Sequence, residues 1–144
     1  MLIDGTGGWG ASAIDRLRVL GHRNIIDVQF AGKPDSDKFA NLRAEMWWNM
    51  AQWVKKSGQL ATHAQMQADL IGPTYGFSDT TGRMLIESKE DMKKRGVPSP
   101  NFGDALAITF ARKIMPQALM DALDIRQQQS RKRFDPLGRV SGYR

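Results

Sequence analysis

The segment LIDGTGGWGASAIDRLRVLGHRNIIDVQF, Leu2 to Phe30, contains the strongest fold signal in the sequence. Residues Met1–Asp4 end a predicted buried strand, and the glycine-rich turn Gly5–Gly10 follows it. A helix is predicted over Ala11–Leu20, and the Ile, Val and Phe residues of Asn24–Phe30 predict a second strand. A strand, a helix and a second strand in this order indicate an α/β fold.

The sequence after this unit predicts further helices and a β-hairpin. Apolar residues recur at helical spacing over Phe39–Ser57, which predicts a long amphipathic helix that packs on the core. The other predicted elements are a helix at His63–Leu70 capped by Thr62, hairpin strands at Tyr75–Phe77 and Arg83–Glu87, a helix at Lys89–Arg95, a helix capped by Ser99 that starts with Pro100, and a last helix after Pro116.

The composition limits the classes of site that the chain can hold. It has 144 residues, enough for one domain with a core, and no cysteine, which excludes disulfides and cysteine-bound zinc. His22 and His63 have no partner at metal-binding spacing, so we interpret them as surface residues. With no apolar run of bilayer length and no leader pattern, we expect a cytoplasmic protein with no membrane partner. Hydrolytic chemistry would have to use carboxylates and a metal.

The positive charge is concentrated at the C-terminal end. The formal net charge is +6, and residues 126–144 contain six basic residues and one acidic residue. We therefore predict one domain over residues 1–125 and a basic, flexible tail over residues 126–144. Such a tail attracts a polyanion such as DNA, although a tail that only improves solubility explains the charge equally well.

The glycine turn permits two interpretations. Gly5, Gly7 and Gly10 satisfy the G-x-G-x-x-G pattern of nucleotide-binding modules. Against that interpretation, the carboxylate of Asp4 stands where a pyrophosphate would approach, and no further strand–helix–strand unit follows. The other interpretation makes Asp4 the functional group, at the carboxyl end of a central strand. Ordinary turn chemistry would also explain an aspartate before a glycine.

Asp104 is the second carboxylate of interest. It lies in the first turns of a helix that is otherwise strongly apolar, ALAITFA. Burying such a charge is costly unless it is paired or bound to a metal. The alternative is an exposed aspartate that complements the helix dipole.

Three blocks of sequence, in order, resemble a known family. They are IDGTGGWGASAIDRLRVLGH (Ile3–His22), FANLRAEMWWNMAQWVKKSG (Phe39–Gly58) and GRMLIESKEDMKKRGVPSPNFGDALAITFA (Gly82–Ala111). The family is the nuclease domain of the large terminase subunits of tailed phages and prophages, within the ribonuclease H-like superfamily. The resemblance implies a partial ribonuclease H-like fold, with a short central mixed sheet flanked by helices and an additional β-hairpin.

The resemblance also implies a metal-dependent endonuclease that cuts double-stranded DNA during genome packaging. In the family, three acidic residues bind two divalent metals, either Mg²⁺ or Mn²⁺. Carried over, Asp4 and Asp104 are the catalytic and metal-binding residues, and Glu87 is an accessory metal ligand. The resemblance implies DNA contacts by Lys89 and Lys93, for which a solvated charged face is the alternative, and the charge of the tail adds Arg131, Lys132 and Arg133 as DNA contacts. The implied partners are the terminase ATPase domain, the small terminase subunit and the capsid portal.

Two departures from the family pattern qualify this expectation. Asn101 stands where the family usually has an aspartate, and the family's first catalytic acid lies on a strand upstream of the Ile3–His22 block. We therefore expect an N-terminally incomplete site, with which either cleavage or inactivity of the isolated chain is compatible. The alternative is a non-catalytic DNA-binding or assembly fragment of a prophage. Sheet edges left open on Met1–Asp4 and Asn24–Phe30 would favour a homo-oligomer.

Overall fold

The computed structural model describes residues 1–112 of the chain, and the last predicted helix and the basic tail lie outside them. The elements, in chain order, are β1 (Leu2–Asp4), α1 (Ala11–Val19), β2 (Ile26–Val28), α2 (Leu42–Lys56), α3 (Ala64–Ile71), β3 (Tyr75–Phe77), β4 (Met84–Ile86), α4 (Lys89–Lys94) and α5 (Asn101–Ala107). A 3₁₀ turn precedes α1 at Thr6–Gly8, and another follows α5 at Ile108–Phe110. None of these helices combines the length and the apolar character needed to cross a bilayer.

The first unit is the predicted strand–helix–strand. β1 and β2 pair in parallel, with Leu2 opposite Ile26 and Asp4 opposite Val28. β2 is shorter than the predicted Asn24–Phe30, because the backbone turns after Val28 and the Phe30 N–H donates to Thr6 Oγ1 instead of to a strand. Within residues 1–112, neither strand pairs with a third one.

Helix α2 provides one wall of the core. It begins at Leu42 and not at the predicted Phe39, because Asn41 caps it: the Asn41 side chain accepts the Ala44 N–H at 2.9 Å. Because successive side chains of a helix point in different directions, Trp47 is buried whereas its neighbour Trp48 is 38% exposed. The core cluster consists of Val28, Phe30, Met46, Trp47, Met50, Ala107 and Ile108. It therefore joins β2 and α2 to the end of α5.

The hairpin forms a second small sheet. β3 and β4 are antiparallel, with Gly76 opposite Leu85, so the strands form a parallel pair and an antiparallel pair separately. Backbone hydrogen bonds from Ala40 to Met84 and from Met84 to Lys38 join the hairpin to the segment before α2. This arrangement of small sheets and helices confirms the predicted α/β class.

Two predicted caps and one helix end were wrong. His63, and not Thr62, caps α3: its Nδ1 accepts the Met66 N–H at 3.2 Å, so His63 has a structural role. Ser99 does not cap α5, because Pro100 occupies the N-cap position and provides no side-chain bond. Helix α5 ends at Ala107, where the backbone tightens into the 3₁₀ turn, well before Pro116.

Candidate metal centre

Asp4 lies at the carboxyl end of β1, where the turn to α1 begins. Its Oδ1 accepts the Thr6 N–H at 2.9 Å, and Thr6 Oγ1 in turn accepts the Phe30 N–H at 2.9 Å. The turn passes so close to the strand that a Cβ on Gly10 would lie 2.1 Å from the Asp4 carbonyl oxygen. A compact turn therefore fixes the position of the partly exposed carboxylate.

Asp104 lies in the first turn of α5 and is only 6% exposed. Its Oδ1 accepts hydrogen bonds from Arg43 Nε at 3.1 Å and from Trp47 Nε1 at 2.9 Å. The Lys89 ammonium lies 3.1 Å from Oδ2. The interpretation of Asp104 as an exposed residue that complements the helix dipole was therefore wrong, because the carboxylate is buried among positive and N–H groups.

Oδ2 of Asp104 is the less satisfied of its two oxygens. It is buried, and although Lys89 lies at ion-pair distance, no donor within residues 1–112 makes a well-aligned hydrogen bond to it. A buried carboxylate oxygen with spare acceptor capacity suits a cation. Carboxylate oxygens are also the hard donors that Mg²⁺ and Mn²⁺ prefer. The residues therefore fit a divalent metal.

The two aspartates border one cavity. It has a volume of about 330 Å³, and its lining includes Asp4, Lys89, Asn101 and Asp104. Asp4 and Asp104 lie 100 positions apart in the chain, so only the fold brings them together. Asn101, at the position where the family usually has an acid, borders the same cavity.

A larger cleft adjoins this cavity and shares Asp4, Phe30 and Lys89 with it. Its volume is about 630 Å³, and its lining also includes Trp9 and Arg43. The larger cleft thus gives a bulky ligand access to the Asp4 carboxylate.

Glu87 does not border either of these spaces. Its carboxylate accepts hydrogen bonds from Arg95 Nε and Nη2, each at 2.7 Å, and from the Thr74 N–H and hydroxyl. The hydrogen bonds from Arg95 lower the pKa of Glu87 from 4.5 to about 2. Glu87 borders a separate cleft of about 440 Å³ with Tyr75. Residues 1–112 contain no cluster of three or more histidine, cysteine or acidic side chains that could hold a metal.

The residues expected to contact DNA occupy different places. Lys89, whose side chain is 42% exposed, lies in the cavity beside Asp104, with its ammonium 6.0 Å from the centre of the Phe30 ring. Lys93 is exposed on α4 and borders neither space that contains Asp4. Arg131, Lys132 and Arg133 lie outside the described residues.

The sequence analysis did not identify Arg43 and Trp47, which donate hydrogen bonds to Asp104, or Trp9, which borders the larger cleft. Arg43 and Trp47 are four residues apart, so they share one face of α2, and an arginine on an otherwise apolar face was an available signal. Arg43 also donates from Nη1 to the Glu87 carbonyl at 2.8 Å. Trp9, in the glycine turn, is 91% exposed and borders the larger cleft.

Comparison with known proteins identifies the fold. No protein-family model and no curated protein matches the sequence. The solved nuclease domain of the large terminase subunit of bacterial virus Sf6 matches with a TM-score of 0.58 and 20% identity, over 79% of this chain and 65% of that one. A mutant of that domain solved with manganese matches with a TM-score of 0.57 and 20% identity, over 78% of this chain and 65% of that one.

A third structure, a mutant of the same viral protein solved with calcium, gives a TM-score of 0.55 at 19% identity, over 78% of this chain and 64% of that one. The chain thus spans about 65% of the length of the solved domains that it matches. At this level of identity the likeness establishes the fold. Over the matched part, the chain therefore has the α/β fold seen in the nuclease domain of the Sf6 large terminase subunit.

Proposed function

We propose that the chain is the nuclease domain, or part of it, of a phage DNA-packaging terminase, and that it hydrolyses DNA with the help of a divalent metal. The observation that carries the proposal is that Asp4 and Asp104 border one cavity. The buried Oδ2 of Asp104 supports it, because this oxygen accepts no aligned hydrogen bond and keeps acceptor capacity for a metal beside its ion pair with Lys89. The likeness of the fold to a terminase nuclease domain agrees with this chemistry.

Each side chain of the cavity has a distinct task in this proposal. Asp4 and Asp104 hold Mg²⁺ or Mn²⁺, and Asn101 offers a further amide oxygen at the same cavity. A bound divalent cation supplies electrostatic stabilisation of the phosphate oxygens and activates water. Thr6 holds the Asp4 carboxylate in place, whereas Arg43 and Trp47 orient Asp104. Orientation of this kind matters because metal ligands lose affinity when their supporting groups are removed.

DNA is the substrate that the charges favour. Lys89 lines both spaces that contain Asp4, so its ammonium group, now beside Asp104, can contact a phosphate that enters either one. Lys93 and the tail residues Arg131, Lys132 and Arg133 would contribute further phosphate contacts. We propose the terminase ATPase domain, the small terminase subunit and the capsid portal as partners, and Glu87 as an accessory ligand only if it leaves Arg95.

A plasmid-nicking assay tests the proposal. Supercoiled DNA is incubated with the wild-type chain and with Asp4→Asn or Asp104→Asn, in Mn²⁺, in Mg²⁺ and in EDTA. We expect nicking only with metal, and a decrease of more than about 100-fold in each variant, because even groups that merely support metal ligands are worth 10–100-fold. Asp15→Asn is the matched control, since the Asp15 side chain is 74% exposed on α1.

The same experiment separates the alternatives. Nicking that survives in Asp4→Asn would overturn the proposed metal site. DNA binding without nicking by the wild type, under all metal conditions, would instead indicate the non-catalytic DNA-binding fragment. Calorimetry with Mn²⁺ then decides whether the two aspartates bind metal at all, because heat that is absent in Asp4→Asn reports the site independently of cleavage.

A further inference from the structure

Trp9 is the most exposed large apolar side chain within residues 1–112. It is 91% exposed, although burying an indole is normally among the larger gains in folding. A single exposed apolar residue needs no special explanation. Its location, however, is specific: Trp9 borders the larger cleft together with Asp4 and Lys89.

The backbone holds the indole close to the proposed metal site. Trp9 follows the 3₁₀ turn Thr6–Gly8, in which Gly7 and Gly8 have φ of 67° and 80°, values that favour glycine. A Cβ on Gly7 would lie 3.4 Å from Trp9 Cδ1, an ordinary van der Waals contact, so the indole lies next to the turn. Because the same turn fixes Asp4, the backbone of Trp9 keeps the indole near that carboxylate.

The size and the chemistry of the cleft suit a nucleotide. Its volume of about 630 Å³ lies within the range of roughly 300–1,000 Å³ that is usual for ligand pockets. An ammonium group for a phosphate and an aromatic face for a base are the two components of single-strand recognition. The cleft presents both, as Lys89 and Trp9.

We propose that Trp9 stacks on an unpaired base, at a strand end or a locally opened stretch, of the DNA strand whose phosphate enters the cavity of Asp4 and Asp104, and that it thereby positions this strand. The proposal rests on DNA being the substrate. Because every base has an aromatic face, the contact adds affinity with little dependence on sequence. Trp9 would be a positioning residue that does not touch the reacting atoms.

Binding measured in EDTA tests this inference apart from cleavage. The probe is a fluorescent single-stranded oligothymidylate, and fluorescence anisotropy gives its Kd for the wild type, Trp9→Ala, Trp9→Phe and Ile71→Ala. We expect Trp9→Ala to raise Kd about 10-fold and Trp9→Phe to raise it much less. Ile71→Ala should not change it, because Ile71 is 84% exposed but borders neither space that contains Asp4.

Intrinsic tryptophan fluorescence distinguishes a direct contact between Trp9 and a base from a purely structural role of Trp9. Oligothymidylate should quench the wild-type emission, the quenching should largely disappear in Trp9→Phe, and an abasic oligomer of equal length should cause little of it. Equal Kd values for wild type and Trp9→Ala, or equal quenching by the abasic oligomer, would overturn the stacking contact alone. If the wild type binds no DNA at all, the proposed substrate is overturned as well.

Discussion

Arg43 forms a buried ion pair with Asp104, one of the residues that border the cavity. It donates to Asp104 and to the Glu87 carbonyl, and the side chains of Arg43 and Asp104 are only 10% and 8% exposed. Removing Arg43 leaves the buried Asp104 carboxylate with only Trp47 and the partly exposed Lys89 as partners. We expect Arg43→Ala to lower the free energy of unfolding by about 3 kcal/mol, as measured by urea denaturation.

An exposed ion pair offers the matched control for Arg43. The side chains of Arg83 and Asp37 are 43% and 95% exposed, at 3.3 Å from each other. Solvent screens such pairs, so Arg83→Ala should cost less than about 1 kcal/mol. Similar losses in Arg43→Ala and Arg83→Ala would contradict the structural role of Arg43.

The Glu87–Arg95 pair predicts a pH effect at the acidic end. Hydrogen bonds from Arg95 lower the pKa of Glu87 to about 2 in the folded chain, from its ordinary value of 4.5. A lowered folded pKa stabilises the fold above about pH 4.5, and this contribution is lost as the pH falls towards 2. In urea titrations, Glu87→Gln should therefore be less stable than wild type at pH 6, and the difference should shrink between pH 4.5 and 2. A constant difference would contradict this.

At the level of single residues, the sequence singled out the two aspartates, whose catalytic role stays a prediction, but not the side chains that surround them. Asp4 and Asp104 followed from a resemblance to a family, because each stands in a recognisable local motif. Their supporting side chains depend on distant contacts: Arg43 lies 61 positions from Asp104, and Trp47 lies 57 positions from it. Local patterns do not encode such pairs. Glu87 and Arg95 are only eight positions apart, but they lie on either side of α4, so neither helical nor strand spacing pairs them.

The elements were predicted well where their signals are local. Turn glycines and alternating or helical apolar spacing gave the order β1, α1, β2 and the β3–β4 hairpin correctly. Errors arose at the ends of elements, where a single capping side chain determines which residue begins the helix. The Asn41 cap starts α2, and the His63 cap starts α3, although histidine is not among the preferred capping residues.

Gly10 tests how closely the first turn packs on β1. A Cβ there would lie 2.1 Å from the Asp4 carbonyl oxygen, which belongs to the backbone and cannot rotate away. We expect Gly10→Ala to destabilise the fold by about 1–3 kcal/mol and to weaken Mn²⁺ binding, because the strand end that carries Asp4 must shift. Urea denaturation and calorimetry measure the two effects. Gly76→Ala, which meets no atom within 4 Å, should change neither.

Across the whole molecule, charge should govern the affinity for DNA. The chain has a net charge of +6, and each phosphate contact by a basic side chain contributes about 0.9 to the slope of log K against log salt on duplex DNA. Replacing Arg131, Lys132 and Arg133 by alanine should therefore reduce that slope by up to about 3, in anisotropy titrations at several salt concentrations. The double variant Lys55→Ala/Lys56→Ala, on the exposed end of α2, should retain the wild-type slope. Equal slopes in all proteins would contradict a role for the tail.

Asp4 and Asp104 differ in how many side chains contact them, and this difference determines which one should be replaced to obtain a variant that does not cleave DNA. Asp104 holds Arg43, Trp47 and Lys89 together, so replacing it perturbs folding along with any chemistry. Among residues 1–112, the Asp4 side chain makes a single hydrogen bond, to the backbone of a turn that has its own support. If the proposed nuclease is correct, Asp4→Asn is therefore the preferable variant for trapping an intact complex with DNA, because it retains the architecture that Asp104 organises.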